Sequence, residues 1–163
     1  DPAMMEGDSH GPWYYQQVAL GFNYRITDMQ AALGRSHMNR LDEFVERRNL
    51  LADRYDRLLQ KMPLRLPLRR PEAHSACHLY VVRLMDGGDH LRVFNELRAS
   101  GIGVNLHYIP VHTQPYYRDM GFRDGDFPEA ERHYKEAISL PMYYSLADSE
   151  QDRVVETLGN ILG

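Results

Sequence analysis

The sequence predicts an α+β domain: a small sheet with helices packed on one face, preceded by a long, possibly bent helix. Three observations support this fold class. Apolar residues recur at helical spacing from residue 27 to residue 62. Beyond residue 63, two runs with strand character enclose a short helical pattern. The remaining residues then give the order helix, strand, helix.

Composition narrows the function classes. The chain has 163 residues, 43% of them hydrophobic and 26% charged, which suits one ordinary globular domain. The net charge of −4 comes without a basic stripe, which argues against a nucleic-acid partner. The single cysteine, Cys77, rules out a disulfide within the chain and favours a reducing, cytoplasmic setting. No apolar run approaches the roughly 20 residues of a membrane span.

Residues 1–26 are predicted to be an irregular segment broken by glycines. Its aromatic residues Trp13, Tyr14 and Tyr15 need a partner surface that so short a segment does not supply. We therefore expect residues 1–26 to pack on a large domain outside this chain, or at a dimer interface. The chain begins without Met, and we expect it to be part of a longer protein.

A long connecting helix is predicted over residues 27–62. Thr27 and Gln30 have the spacing of a capping box at its start, and Pro63 ends the pattern. A straight helix of this length would measure about 50 Å, at roughly 1.5 Å per residue. Because that exceeds the width of a small domain, we expect the helix to bend, with Gly34 as the weakest point, or to bridge two domains.

Residues 63–163 are predicted to form the small α+β domain. Its elements follow from changes in apolar periodicity and from the positions of Gly and Pro. They are a strand over 78–84, a helix ending before Gly101, a strand over 103–109, a loop over 111–125, a helix from Asp126 to about Ala137, a strand over 138–140 and a last helix from about Asp148.

The run from Gly21 to Gly34 holds the first candidate site. It carries the amide of Asn23 and the cation of Arg25 just before the predicted helix start. Free backbone N–H groups and the positive end of the helix dipole favour an anion there. For Arg25, an anion clamp and an interface salt bridge look alike in sequence, so both interpretations stay open.

The histidine pattern argues against a metal site. His107 and His112 lie five residues apart with Pro110 between them, and no third ligand is evident. His74 and His78 have i,i+4 spacing but lie at a strand start without an accompanying glutamate. We interpret His112 as structural, and His107 either as a substrate-lining residue or as an ordinary half-buried histidine.

Two stretches of the sequence resemble one enzyme family. The first is Gly21-Phe22-Asn23-Tyr24-Arg25-Ile26-Thr27-Asp28 with the following Gln30–Gly34, and the second runs from His107-Tyr108-Ile109-Pro110-Val111-His112 through 114–117 to 138–143. Together they resemble the C-terminal half of DegT/StrS-type sugar aminotransferases. These are fold-type I enzymes that use pyridoxal phosphate (PLP) to place an amino group on a nucleotide-linked keto-sugar. The His-Tyr-Ile-Pro-Val-His variant resembles the pseudaminic-acid branch, which aminates C4 of a UDP-linked 4-keto-6-deoxy sugar.

The resemblance implies a fold-type I small domain, a homodimer, glutamate as the usual amino donor and a role in cell-surface glycan synthesis, such as lipopolysaccharide. It implies that Asn23, with Arg25 beside it, contacts the phosphate of a PLP held mainly by the neighbouring subunit. It also implies a segment that lines the sugar-nucleotide site. That segment consists of His107, Tyr108, Ile109 and Pro110.

The sequence departs from the family at the catalytic lysine, which in family members precedes the region covered here. The two lysines of the chain, Lys61 and Lys135, lie in contexts that do not match it. We therefore expect no catalytic residue in this chain, and no transaminase activity or bound PLP when it is isolated. We expect its uncovered apolar surface to cause self-association. Two alternatives stay open: a non-catalytic interaction or oligomerisation module, and a fragment of a PLP-dependent sugar dehydratase of the same family.

Overall fold

A computed structural model describes residues 5, 7–21, 26–85 and 89–163. The helices there are α1 (Asp28–Met38), α2 (Leu41–Leu59), α3 (His90–Ala99), α4 (Pro115–Arg118), α5 (Pro128–Glu136) and α6 (Asp148–Leu162), with a 3-10 turn at Val111–Thr113. The strands are β1 (Leu64–Arg65), β2 (Tyr80–Leu84) and β3 (Ala137–Leu140).

The strands form an antiparallel sheet in the order β1-β2-β3. Leu64 pairs with Leu84, and Val81 pairs with Ser139. Alternate residues of β2 are buried, as expected for a strand with one face on the core. These residues join one hydrophobic cluster with apolar side chains of α2, α3 and α6. The α+β fold class is therefore confirmed.

The predicted strand over residues 103–109 is wrong. Ile102, Val104 and Leu106 are buried in alternation, which gave the sequence its strand character. Pairing is limited to one isolated bridge, between Asn105 and Ser139. The Asn105 side-chain oxygen accepts the backbone N–H of Leu106 at 2.8 Å. This N–H group therefore does not take part in strand pairing.

The predicted long helix is two helices, and the break lies at Asn39 and Arg40 rather than at Gly34. Gly34 lies within α1, whereas Arg40 has φ −119° and ψ 16°, outside the helical region. The Arg40 guanidinium pairs with Glu43 at 2.8 Å and lies 4.8 Å from the ring centroid of Phe44. These contacts hold the side chain on α2 at the point where the chain turns.

The predicted capping box at the start of α1 is confirmed. The backbone N–H of Gln30 donates to Thr27 Oγ1 at 3.3 Å, and the backbone N–H of Thr27 donates to Gln30 Oε1 at 2.9 Å. The two helices differ in burial, because α1 has no buried residue whereas α2 buries Leu51, Ala52, Tyr55 and Leu59. Thus α2 belongs to the core and α1 does not.

Trp13 packs on the C-terminal domain of this chain, while packing of residues 1–26 on a large domain or at a dimer interface stays a prediction. Its ring lies edge-on to Phe94, with centroids 4.3 Å apart, and to His90, with centroids 5.0 Å apart. Its indole N–H donates to the Tyr134 hydroxyl at 3.3 Å. Gly11 lies directly over the indole, where a Cβ would come within 2.7 Å of the ring. Local sequence patterns do not predict this contact, because the partners of Trp13 lie about 80 and 120 residues away along the chain.

The rest of the N-terminal segment follows Trp13 onto the same surface. The backbone N–H of Gln17 donates to Gln114 Oε1 at 2.7 Å, and the Gln17 carbonyl accepts the N–H of Tyr116 at 3.1 Å. Tyr15 stays 49% exposed. Several contacts therefore hold residues 10–17 against the C-terminal domain.

Two predicted features of residues 111–137 also differ. The predicted loop over 111–125 contains the 3-10 turn and α4. Asp126 does not cap α5, because its carboxylate accepts the backbone N–H of Arg123 at 2.8 Å and the helix begins at Pro128.

In the described part of the chain, every helix is too short or too polar to cross a bilayer.

Candidate functional site

The first implied site cannot be placed, because Asn23 and Arg25 lie outside the described residues. The structure shows only the helix start that follows them, with Thr27 and Gln30 closing the capping box. The four residues of the second implied site, 107–110, all lie within the described part of the chain.

The His107 ring is held between two polar side chains. Its Nδ1 lies 2.8 Å from the Ser139 hydroxyl oxygen, and its Nε2 lies 3.4 Å from the amide nitrogen of Asn105. Ser139 is only 4% exposed, whereas His107 is half-buried. Burial lowers the pKa of His107, and the nearby His78 imidazole lowers it further. The imidazole is therefore neutral at pH 7.

A cavity of about 460 Å³ opens beside this ring. Its volume lies within the range of small-molecule sites. The floor is apolar, with Ile102 and Leu140 among its residues. Its polar groups come from the 103–107 segment, β3, the loop after β3 and α6. They are Asn105, His107, Ser139, Tyr143, Glu150 and Arg153.

Two opposite charges on α6 stand at the cavity and are held by local contacts. Glu150 accepts the backbone N–H of Ala147 at 2.8 Å and the Tyr143 hydroxyl at 3.4 Å. Arg153 donates to the carbonyl of Ser100 at 2.6 Å. The cavity therefore combines apolar side chains with neutral hydrogen-bonding groups and two opposite charges, which suits a polar organic molecule.

The four residues implied to line the sugar-nucleotide site do not meet at this one cavity. His107 borders it, while Ile109 borders a second cavity of about 340 Å³ beside Tyr14 and Gln114. Tyr108 is 60% exposed, and its ring lies edge-on to His107 with centroids 4.7 Å apart. Pro110 is buried. The segment thus passes between two cavities. Of its four residues, only His107 and Tyr108 have aromatic rings that are partly or largely exposed.

His112 has the structural role that the sequence predicted. It is 7% exposed, and its Nε2 lies 2.8 Å from Glu131 Oε1. The same carboxylate oxygen accepts the backbone N–H of Gly125 at 2.7 Å. The contact with His112, together with that of Gly125, lowers the pKa of Glu131. These contacts fasten the loop before α5 to the helix itself.

Among the residues that the structure describes, no three His, Cys, Asp or Glu side chains are grouped as a metal site.

The described residues do not offer a covalent attachment point for PLP. Lys61 and Lys135 are both exposed to solvent, on the turn after α2 and on α5. A Schiff-base lysine needs a desolvated pocket that lowers its pKa, and an exposed ammonium group lacks one.

Comparison with known proteins identifies the family. The profile of the DegT/DnrJ/EryC1/StrS aminotransferase family matches residues 5–159. The chain belongs to this family. It is 36% identical over 160 residues to the spore coat polysaccharide biosynthesis protein SpsC of Bacillus subtilis, and the match covers 94% of this chain and 41% of SpsC.

Solved structures of the family share the fold. Spr1654 of Streptococcus pneumoniae, described as a proposed sugar aminotransferase in its PMP form, gives a TM-score of 0.78 at 28% identity, covering 94% of this chain and 39% of that one. PseC of Helicobacter pylori, an aminotransferase of pseudaminic-acid biosynthesis, gives 0.76 at 24% identity, covering 88% and 39%. The likeness to PseC shows the fold alone. The chain thus spans about two fifths of these relatives.

Sequence reasoning did not single out Asn105 or Ser139 as site residues. Ser139 lies in one of the stretches that carry the family resemblance, and Asn105 lies two residues before His107. Neither position has a motif that assigns it a role. Their meeting at His107 depends on the bridge between residues 34 apart in the sequence, which local patterns do not encode.

Proposed function

We propose that this chain is the C-terminal part of a PLP-dependent aminotransferase that transfers an amino group from glutamate to a nucleotide-linked keto-sugar. The observation that carries the proposal is the family match over residues 5–159. When bound, PLP supplies the electron sink that amino-group transfer requires. The residues of this chain bind and orient the substrate.

The sugar-binding part of the proposal rests on His107 and Tyr108. His107 is neutral and borders an apolar cavity with several polar groups, which suits the hydroxyls of a sugar better than a phosphate dianion. The exposed ring of Tyr108 stands beside it and offers a face for stacking on a sugar or a uracil ring. Ile109 and Pro110, both buried, fix the backbone of the segment.

The cofactor-binding part of the proposal assigns Asn23 and Arg25 to the PLP phosphate of a partner subunit. It requires a homodimer. The exposed apolar side chains of α1 support such an interface, since Met29 is 82% exposed and Leu33, one turn on, is 58% exposed. The isolated chain is then inactive, because its lysines are exposed and the site needs a second subunit.

The pathway part of the proposal is a cell-surface glycan of the pseudaminic-acid type, with a UDP-linked 4-keto-6-deoxy sugar as substrate. The His-Tyr-Ile-Pro-Val-His segment supports it. The name of SpsC gives independent support for a polysaccharide pathway.

The test uses the complete protein that contains this chain. We expect it to bind PLP with a visible absorbance band and to convert glutamate and the keto-sugar into an amino-sugar detectable by mass spectrometry. His107→Ala should raise the KM for the sugar about tenfold or more, since it removes a hydrogen bond worth roughly 1.5 kcal/mol. His74→Ala, at an exposed position away from the cavity, is the matched control.

Three outcomes would contradict the proposal. If the complete protein binds no cofactor, the result would support a non-catalytic oligomerisation module. The exposed apolar face of α1 is consistent with such a module. A PLP-bound protein that removes water from the sugar without transferring nitrogen would be a dehydratase. If His107→Ala leaves the KM for the sugar unchanged, the cavity beside His107 is not the sugar-binding site.

A further inference from the structure

The turn between α1 and α2 is held by a cluster of side chains. The Arg40 guanidinium lies 4.8 Å from the ring centroid of Phe44 and 5.1 Å from that of Tyr144. It is also paired with Glu43, whose carboxylate accepts the Tyr144 hydroxyl. From α1, the ring of His37 lies edge-on to Phe44, with centroids 5.9 Å apart. The direction in which α1 leaves α2 is therefore set by side chains as well as by the backbone.

Tyr144 connects this cluster to the rest of the domain. It lies in the loop after β3, and three side chains of α2 donate to backbone carbonyls of that loop at distances between 2.6 and 3.3 Å. The pairs are Arg47 with Leu146, Arg48 with Met142 and Tyr55 with Pro141. Because the loop is bound along α2 in this way, Tyr144 is a fixed support at the end of α2 that meets α1.

The position of α1 depends on this support, because the helix is not part of the core. None of its residues is buried. Its capping box, between Thr27 and Gln30, is a contact within the helix and its N-cap, and it does not bind the helix to the domain. The turn at Asn39 and Arg40, with the side chains around it, is therefore the point that orients α1.

The exposed face of α1 is complementary to itself. Met29 and Leu33, one turn apart, are 82% and 58% exposed. Asp28 lies in the first turn of the helix and Arg35 in the last, two turns apart on one side of these residues. When two such helices pack antiparallel about a two-fold axis, the carboxylate of each meets the guanidinium of the other. A second copy of this chain is therefore a suitable partner for the face.

We propose that Tyr144 is a positioning residue that sets the direction of α1. It acts through Arg40 and Glu43 at the turn between the helices. The resulting direction presents Met29 and Leu33 to α1 of a second copy of this chain. The proposal rests on the homodimer of the proposed function and not on its chemistry. A loosely held α1 would have to be ordered on association, and the free-energy cost of that ordering would weaken the dimer.

The role of Tyr144 is tested by the orientation of α1 relative to α2 in this chain. Residual dipolar couplings of the backbone N–H groups measure this orientation by NMR. We expect one alignment tensor to fit both helices in the unaltered chain. In Tyr144→Ala, the couplings of α1 should shrink toward zero while those of α2 are retained, because α1 then moves independently. Tyr144→Phe keeps the ring beside Arg40 and Phe44, so it should reduce the α1 couplings less.

Phe122→Ala is the matched control for these measurements. Phe122 is 39% exposed and Tyr144 is 37% exposed, but Phe122 lies after α4, outside the cluster at the turn. Its removal should leave the couplings of α1 unchanged. If Tyr144→Ala also leaves them unchanged, or if α1 and α2 already move independently in the unaltered chain, Tyr144 does not orient α1 and the inference is overturned.

The choice of partner is tested by sedimentation velocity over a series of concentrations. Tyr144→Ala should raise the dissociation constant for self-association several-fold, and Phe122→Ala should leave it unchanged. Leu33→Arg, which changes the face itself, should also raise it. The effects of Tyr144→Ala and Leu33→Arg should not add in the double variant, because both act on the same interface. Additive effects, or no effect of Tyr144→Ala, overturn the presentation of α1 to a second copy.

These outcomes can be told apart from a failure of the proposed function. A complete protein that binds no PLP refutes that function and leaves both measurements on this chain unchanged. A monomeric unaltered chain overturns the second copy as the partner, and the dipolar couplings still decide whether Tyr144 orients α1.

Discussion

Trp13 and Phe94 pack edge to face with their ring centroids 4.3 Å apart, and this contact fastens the N-terminal segment to α3. Aromatic pairs in this geometry add about 0.5–1.5 kcal/mol to the free energy of burial. The contact places Tyr14 and Gln16 along the cavity that Ile109 borders. The N-terminal segment is therefore a wall of the domain.

Trp13→Ala should destabilise the chain. The loss of a half-buried indole, its edge contact and its hydrogen bond to Tyr134 is expected to cost about 3 kcal/mol. Urea unfolding followed by far-UV circular dichroism measures it. Tyr15→Ala, which removes an aromatic ring that is 49% exposed two residues away, should cost well under half as much. Equal costs for the two variants would show that Trp13 does not pack on α3.

His90 should make the stability fall in acid. Burial lowers its pKa below the ordinary 6.5, against the smaller opposing effects of the Ala137 carbonyl and Asp89. The unfolded chain then binds a proton that the folded chain resists, so stability is present above about pH 6.5 and is lost as the pH falls below it.

The matched variant for this test is His90→Gln. Its amide can still donate to the Ala137 carbonyl, which His90 Nε2 contacts at 2.8 Å, but it does not titrate. Urea unfolding at several pH values between 7.5 and 5 should therefore show a shallower decline for His90→Gln than for the unaltered chain. His107 has a lowered pKa in both proteins, so the difference isolates His90. Parallel curves would contradict the prediction.

Tyr80→Phe should cost about 1–2 kcal/mol of unfolding free energy, because it removes one buried hydroxyl from a hydrogen bond to a charged partner. The Tyr80 hydroxyl donates to Asp56 at 2.6 Å, and Asp56 is also paired with Arg69. Burial, with this contact, raises the pKa of Tyr80 far above its usual range, so the hydroxyl stays protonated as a donor. Tyr108→Phe, at an exposed ring, should change stability by less than about 0.5 kcal/mol. Thermal unfolding of the two variants, measured side by side, compares their loss of stability.

A charge on the exposed face of α1 should reduce self-association of the chain. Leu33→Arg places a cation beside Met29 on a helix with no buried residue, so it should not disturb the fold. Sedimentation velocity at high concentration should show a larger monomer fraction than in the unaltered chain. Leu68→Arg changes an even more exposed leucine, at 87%, outside α1 and is the control. A monomeric unaltered chain would show that α1 does not associate by itself.

Local patterns predicted those elements whose signals lie within a few residues of each other. The capping box of Thr27 and Gln30 and the strand at β2 were predicted at or near their observed positions. The break at Arg40 was missed because its partners include the ring of Tyr144, about a hundred residues away and 5.1 Å from the guanidinium. A glycine is the weakest point of an isolated helix, but tertiary contacts decided where this one turns.

The sequence by itself determined the family, the α+β class and the position of His107, because periodicity, caps and motifs are written in neighbouring residues. Only the tertiary structure decided what His107 can do. The bridge between Asn105 and Ser139 places a donor and a hydroxyl on opposite sides of the ring, and burial keeps the ring neutral. Both effects arise from residues brought together by the sheet, so the chemistry of the site follows from the packing and not from the motif.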